Sequence, residues 1–150
     1  MPPPVAAGSG PPDAATLDRF VARTRIAYFS MEIAIRPDMP TYSGGLGILA
    51  GDTARTAADL DLPMVFVTLV SEAGYLRQVL DAAGSQGDVP DPWEPEKFAV
   101  ALHAMVAIEV EGRTVWVRPW LHVLEGVGGG AVPILLLDTD ISENDPADRG

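Results

Sequence analysis

Short continuous apolar runs recur along the chain, at Arg25-Ile26-Ala27-Tyr28-Phe29, Met64-Val65-Phe66-Val67-Thr68-Leu69-Val70 and Val132-Pro133-Ile134-Leu135-Leu136-Leu137. Runs of this length without polar interruption suit strands buried on both faces, as in a parallel sheet. Between the first two the pattern changes to a helical period. Leu46, Leu49, Ala50, Thr53, Ala57 and Leu60 share one face, and Asp52, Arg55, Thr56 and Asp59 share the other. Asp52 and Arg55 stand three apart, and Arg55 and Asp59 four, spacings at which opposite charges pair on a helix surface. Strand, loop, helix and strand together predict a βαβ unit with a right-handed crossover. The fold class is therefore α/β, a partial Rossmann-like domain.

Around this parallel βαβ core the remaining segments are less regular. Residues 1–15 are rich in Pro, Gly and Ala and read as a disordered tail, which leaves 16–150 as one partial domain. Residues 16–23 fit a short helix capped by Thr16. Residues 33–41, with Pro37 and Pro40, read as a loop. Residues 75–80 suit strand or helix, and 81–95 read as a polar loop. Two extended runs flank Glu111-Gly112-Arg113. Val106, Ile108 and Val110 alternate there with Ala107, Glu109 and Glu111, the period of a half-buried strand. This predicts an appended antiparallel hairpin. Gly126-Val127-Gly128-Gly129-Gly130 reads as a flexible linker, and residues 138–148 as a solvated acidic end. Three strands apolar on both faces and one convincing helix do not make a covered sheet. The missing cover implies a missing C-terminal domain or a homo-oligomer.

The candidate chemistry lies at Tyr42-Ser43-Gly44-Gly45-Leu46-Gly47, directly before the helical period. Glycine permits positive φ and close approach of another group. At a helix N-terminus such a bend presents unpaired N–H groups and the positive end of the helix dipole, a site suited to phosphate or another anion. In a parallel sheet, ligands bind beyond the C-terminal strand ends. That end collects Ser30-Met31-Glu32, the glycine bend and Ser71-Glu72-Ala73-Gly74.

Composition narrows the partners. With 21 acidic and 10 basic side chains the net charge is −11, which disfavours nucleic acid and anionic membranes. There is no cysteine, so disulfides and thiolate metal sites are excluded. No basic start with an apolar core marks a signal peptide, and no apolar run reaches membrane-spanning length. A cytoplasmic location is the expectation.

Several motifs together resemble bacterial α-glucan (glycogen/starch) phosphorylases, in their N-terminal part. They are Arg25-Ile26-Ala27-Tyr28-Phe29-Ser30-Met31-Glu32-Ile33-Ala34, Pro40-Thr41-Tyr42-Ser43-Gly44-Gly45-Leu46-Gly47 with Ile48-Leu49-Ala50-Gly51-Asp52, and Ala58-Asp59-Leu60-Asp61-Leu62-Pro63. Gly74-Tyr75-Leu76-Arg77-Gln78, Asp91-Pro92-Trp93-Glu94 and residues 132–140 with 143–149 follow in the same order. The resemblance implies a GT-B glycosyltransferase fold and, in the intact enzyme, phosphorolysis of α-1,4-glucan ends to glucose 1-phosphate with pyridoxal phosphate as cofactor. It implies that Ser43, Gly44, Gly45, Leu46 and Gly47 bind the phosphate and glucosyl unit, with Glu32 pointing into the cleft. Ser43 stands where other phosphorylases carry asparagine. Ser71-Glu72-Ala73 replaces their aromatic-arginine pair. No catalytic residue of the family falls within this chain. Its one lysine, Lys97, lies among glutamates that oppose the lowered pKa a Schiff-base lysine needs, so no covalent cofactor is expected.

Other chemistries are weaker. Gly45-Leu46-Gly47-Ile48-Leu49-Ala50 satisfies a dinucleotide fingerprint, but residues 30–43 separate it from its strand. His103 and His122 read as core or edge histidines, with no partner spaced for a metal. Trp93, Trp116 and Trp120 suit sugar stacking, though packing explains them as well. The competing functions are a non-catalytic phospho-sugar-binding module and a glycogen-synthase-like fragment.

Overall fold

The computed structural model describes residues 14–71 and 73–149. The expected tail therefore lies outside the described residues, except for its last two. Ala14 and Ala15 begin helix α1 (Ala14–Arg23), so Thr16 sits inside the helix rather than at its cap. Alanine is the strongest helix former, and two of them extend the turn.

The expected βαβ unit is present. Strand β1 (Ile26–Phe29), helix α2 (Gly45–Asp59) and strand β2 (Met64–Leu69) follow in order, and the two strands pair in parallel, Ile26 opposite Met64. Hairpin β3 (Leu76–Leu80) and β4 (Gln86–Pro90) comes next. It places a strand within what reads as a polar loop. Short β5 (Val100–Ala101), β6 (Val106–Val110), long β7 (Arg113–Glu125) and β8 (Ala131–Asp138) complete the chain. The main sheet runs β1-β2-β8-β7-β5, with β6 paired to β7. β8 lies parallel to β2, and β7 antiparallel to β8. The sheet is mixed, then, and β7 belongs to its body; only β6 is an appendage. Glu111 and Gly112 turn β6 into β7, both with left-handed φ (50° and 77°), as a tight two-residue hairpin demands.

One face of the sheet carries the core. Phe66, Ile134, Leu136 and Trp120 are in register across β2, β8 and β7, and Ala50, Ala54, Ala57 and Ala58 of α2 pack on them. Residues 33–41 form a loop, as expected, but a buried one. Ile33, Ala34, Ile35 and Met39 are all covered.

Three expectations fail here. β1 is an exposed edge strand rather than a buried one, with Phe29 73% accessible. β6 is exposed along its whole length rather than half-buried. Leu46 and Leu49 of α2 and Leu60 at its C-cap face solvent, while Gly47, Ala50, Gly51, Ala54, Ala57 and Ala58 face inward. The phase of α2 is set by how near its backbone must come to residues 32–35, and only small side chains allow that approach.

The 126–130 segment is likewise no linker. Gly126 N–H donates to Gly130 (2.8 Å) and Gly129 N–H to Gly126 (3.1 Å), closing the β7–β8 hairpin. Val127 N–H donates to the Asp59 carboxylate at 2.7 Å, pinning the turn to the end of α2. A Cβ on Gly126 would lie 2.5 Å from the Ala58 carbonyl group. Asp138, at the end of β8, is 1% exposed and not part of a solvated acidic face. It accepts from Arg118 (2.8 Å), from the Trp120 indole (2.9 Å) and from the Asp140 amide (2.8 Å).

Candidate functional site

β1 and β2 end side by side, and the chain beyond each carries the residues singled out above. After β1, Ser30 donates its hydroxyl to the Glu32 carbonyl (2.7 Å), which turns the chain out of the sheet. The next residues lie across the start of α2, where Ala34 N–H donates to the Gly47 carbonyl at 2.8 Å. This crossing brings Glu32 to the glycine bend. Ser43 donates to the Glu32 carboxylate twice, from its hydroxyl (3.0 Å) and from its main-chain N–H (3.3 Å).

The bend itself is open. Ser43, Gly44, Gly45 and Leu46 are exposed, and Gly47 is buried. Gly44 is the N-cap of α2, extended at φ −156°, with no side-chain cap. A Cβ on Gly44 or Gly45 would meet nothing within 4 Å. Positive φ is not what these glycines supply: left-handed glycines occur at 74, 84, 112 and 129, and none in the bend. The first-turn N–H groups of α2 have no partner within the helix and point toward this open side.

The third wall follows β2. Glu72 lies outside the described residues. Gly74 takes a left-handed φ of 102° and leads into Tyr75. The Trp93 indole donates to the Ser71 carbonyl (2.7 Å), and Asp91 N–H to the Tyr75 carbonyl (2.9 Å). These bonds clip the Asp91-Pro92-Trp93-Glu94 motif beneath the turn. Tyr75 is half-buried; burial raises its phenol pKa first, and the nearby Glu32 carboxylate adds to the rise. Tyr75 therefore lies near enough to Glu32 to feel its charge. Sequence reading does not single it out as a site residue, although Gly74 just before it is a usable signal for a sharp turn.

The other candidates lie elsewhere. Trp93 and Trp120 are buried in the core and Trp116 is at the surface, so the three form no stacking platform. His122 is mostly buried, with its Nδ1 2.7 Å from the Phe98 carbonyl, and burial lowers its pKa. His103 is exposed. Lys97 is exposed and ion-paired with Glu94 at 2.8 Å. It is neither desolvated nor beside a cation, so it does not fit a pyridoxal phosphate aldimine. Among the described residues no group of three His, Asp or Glu side chains is placed to hold a metal, and no helix is long and apolar enough to cross a membrane.

The fold and the bend define an α/β domain with an open glycine turn at its parallel strand ends. No protein-family model matches the sequence. Curated relatives do. Over 131 residues, 83% of this chain and 15% of the other, it is 36% identical to maltodextrin phosphorylase of Thermococcus litoralis. Over 130 residues, 81% and 14%, it is 39% identical to glycogen phosphorylase of Mycobacterium tuberculosis. Glycogen phosphorylase of Aquifex aeolicus is 29% identical over 132 residues, 83% and 18%. The chain is thus homologous to a segment of the glycogen and maltodextrin phosphorylases, and it spans less than one fifth of the length of these relatives.

Proposed function

We propose that this chain contributes the glycine bend of an α-glucan phosphorylase, as part of the N-terminal GT-B domain. The complete enzyme would release glucose 1-phosphate from α-1,4-glucan ends, with pyridoxal phosphate held outside this chain. The observation that carries the reading is the open Gly44-Gly45 bend beside the Ser43–Glu32 pair, in a chain homologous to phosphorylases.

The arrangement divides the ligand between two ends. Glu32 is an acceptor-only group when ionised. It suits a sugar hydroxyl and repels phosphate. The bare N–H groups of Gly45, Leu46 and Gly47, at the positive end of α2, suit phosphoryl oxygens and developing negative charge. The residues the resemblance assigns to catalysis lie outside this chain, so the chain alone is expected to be inactive. The phosphorylase relatives favour this reading over a nucleotide-sugar transferase.

The test is a chimera in which residues 25–149 replace the matching segment of the Mycobacterium tuberculosis enzyme. Phosphate-dependent release of glucose 1-phosphate from maltoheptaose is the readout. Retained activity that falls at least tenfold on Gly45→Val supports the reading. A chimera that folds, binds its cofactor and tolerates Gly45→Val at full rate refutes it.

A further inference from the structure

The glycines of this region do two different things. Gly44 and Gly45 face open space, as described. Gly47 and Gly51, one turn apart on α2, face the chain itself. A Cβ on Gly47 would collide with the Tyr42 Cβ and lie 3.1 Å from Tyr42 Cγ and 3.3 Å from Glu32 Cβ. A Cβ on Gly51 would collide with the Ala34 carbonyl oxygen and lie 2.9 Å from its carbon. These obstacles are backbone, Cβ or Cγ atoms, which cannot swing aside as a side-chain tip can. One turn further on, Arg55 reaches back along the helix. Its Nη2 donates to the carbonyls of Ala34 (2.9 Å) and Ile35 (2.8 Å), while its Nη1 meets Asp52 at 3.3 Å. With the Ala34 N–H bond to Gly47, residues 32–35 are held on three successive turns of α2.

We infer that Gly47, Gly51 and Arg55 are positioning residues, which aim the Glu32 carboxylate at Ser43 by fixing residues 32–35 against α2. The missing side chain of Gly47 then serves the chain rather than a ligand, and of the glycines at the start of α2 only Gly44 and Gly45 are bare toward open space. Glu32 follows Ser30 on a chain reversal with no helix or strand of its own to hold it. Its direction is decided two residues later, where Ala34 is gripped. A shift of about 1 Å at Ala34, which a methyl group on Gly51 forces, exceeds what two hydrogen bonds of ordinary length tolerate. That Glu32 meets a ligand rests on the function proposed above; its placement by α2 does not.

The experiment is accordingly ligand-free. In the purified chain the Ser43 amide proton, observed by ¹H–¹⁵N NMR, is expected to shift with pH as the Glu32 carboxylate titrates, and Glu32→Gln should abolish that shift. Tyr75, the other titratable group coupled to Glu32, ionises far above this range. Gly51→Ala and Arg55→Met should each reduce the amplitude of the Ser43 titration by half or more while the remaining spectrum stays folded. Arg55→Lys, which retains one donor head, should restore part of it. Thr56→Ala, on the solvent side of the same turn, should leave it unchanged. Folded Gly51→Ala and Arg55→Met proteins with the wild-type Ser43 curve would overturn the inference. So would global unfolding of Arg55→Met, which would make Arg55 a stabilising residue rather than a positioning one. Loss of the titration without any effect on chimera activity would count against the proposed function and not against this placement.

Discussion

Replacing Asp138 by alanine tests a buried charged network. The carboxylate is 1% exposed and holds three donors, from Arg118, Trp120 and the Asp140 main chain. Removing one partner of a buried charged network costs about 3–5 kcal/mol, because the remaining donors are left without acceptors. The three donors do not suffer equally. The Arg118 side chain is 33% exposed, so water can replace its bond. The Trp120 residue is only 9% exposed, and its indole N–H is stranded at about 1–3 kcal/mol. The expected loss is therefore near the low end, about 3 kcal/mol, which for a domain of this size lowers the melting temperature by about 6–12 °C. Urea titration followed by tryptophan fluorescence is the direct assay, and Trp120 is itself the reporter. Asp138→Asn, which retains one acceptor oxygen, should lose less. An Asp138→Ala protein within about 1 kcal/mol of wild type would show that the network gives back in attraction no more than its desolvation costs.

Other expectations follow from single contacts. The Thr68 hydroxyl is buried and without a partner, so Thr68→Val should leave stability unchanged or raise it by about 1 kcal/mol in thermal melts; a loss above that would reveal a bound water at this hydroxyl. Gly126→Ala should cost about 1–3 kcal/mol in urea, because its Cβ meets the Ala58 backbone, whereas Gly45→Ala should be neutral or gain up to about 1 kcal/mol. Burial depresses the His122 pKa below its unfolded value of about 6.5. Below that value the unfolded chain takes up a proton that the folded chain refuses. Stability is therefore full above about pH 7 and falls as pH drops toward the folded pKa, with a slope of at most about 1.4 kcal/mol per pH unit. His122→Gln should flatten the stability profile below about pH 7, and an unaltered profile would contradict the burial argument.

The parallel unit of β1, α2 and β2 is legible in the chain because its signal is local: continuous apolar runs around one helical period. β8 is legible for the same reason. The phase of α2 is not, because leucines at helical spacing outweigh alanines and glycines in any hydrophobic reading. The inward face was chosen by proximity to Ala34, a contact between residues seventeen apart. β4 is hidden in Gln86-Gly87-Asp88-Val89-Pro90, a polar sequence that is a strand only because Leu76–Leu80 lies beside it. The glycine turn at 126–130 resembles a linker in composition, and its rigidity comes from Asp59, in a different element. At the site, Glu32 and Ser43 are both visible in the sequence, and their meeting is not. Eleven residues separate them, and the crossing of residues 32–35 over α2 is what closes the gap.

That crossing, together with the β7–β8 turn, clamps α2 at its head and at its tail. A rod held at both ends can neither slide along its axis nor roll. Whatever accommodation an incoming guest requires must come from the few exposed residues at its start, Ser43, Gly44 and Gly45, where the two glycines carry no side chain to obstruct a shift.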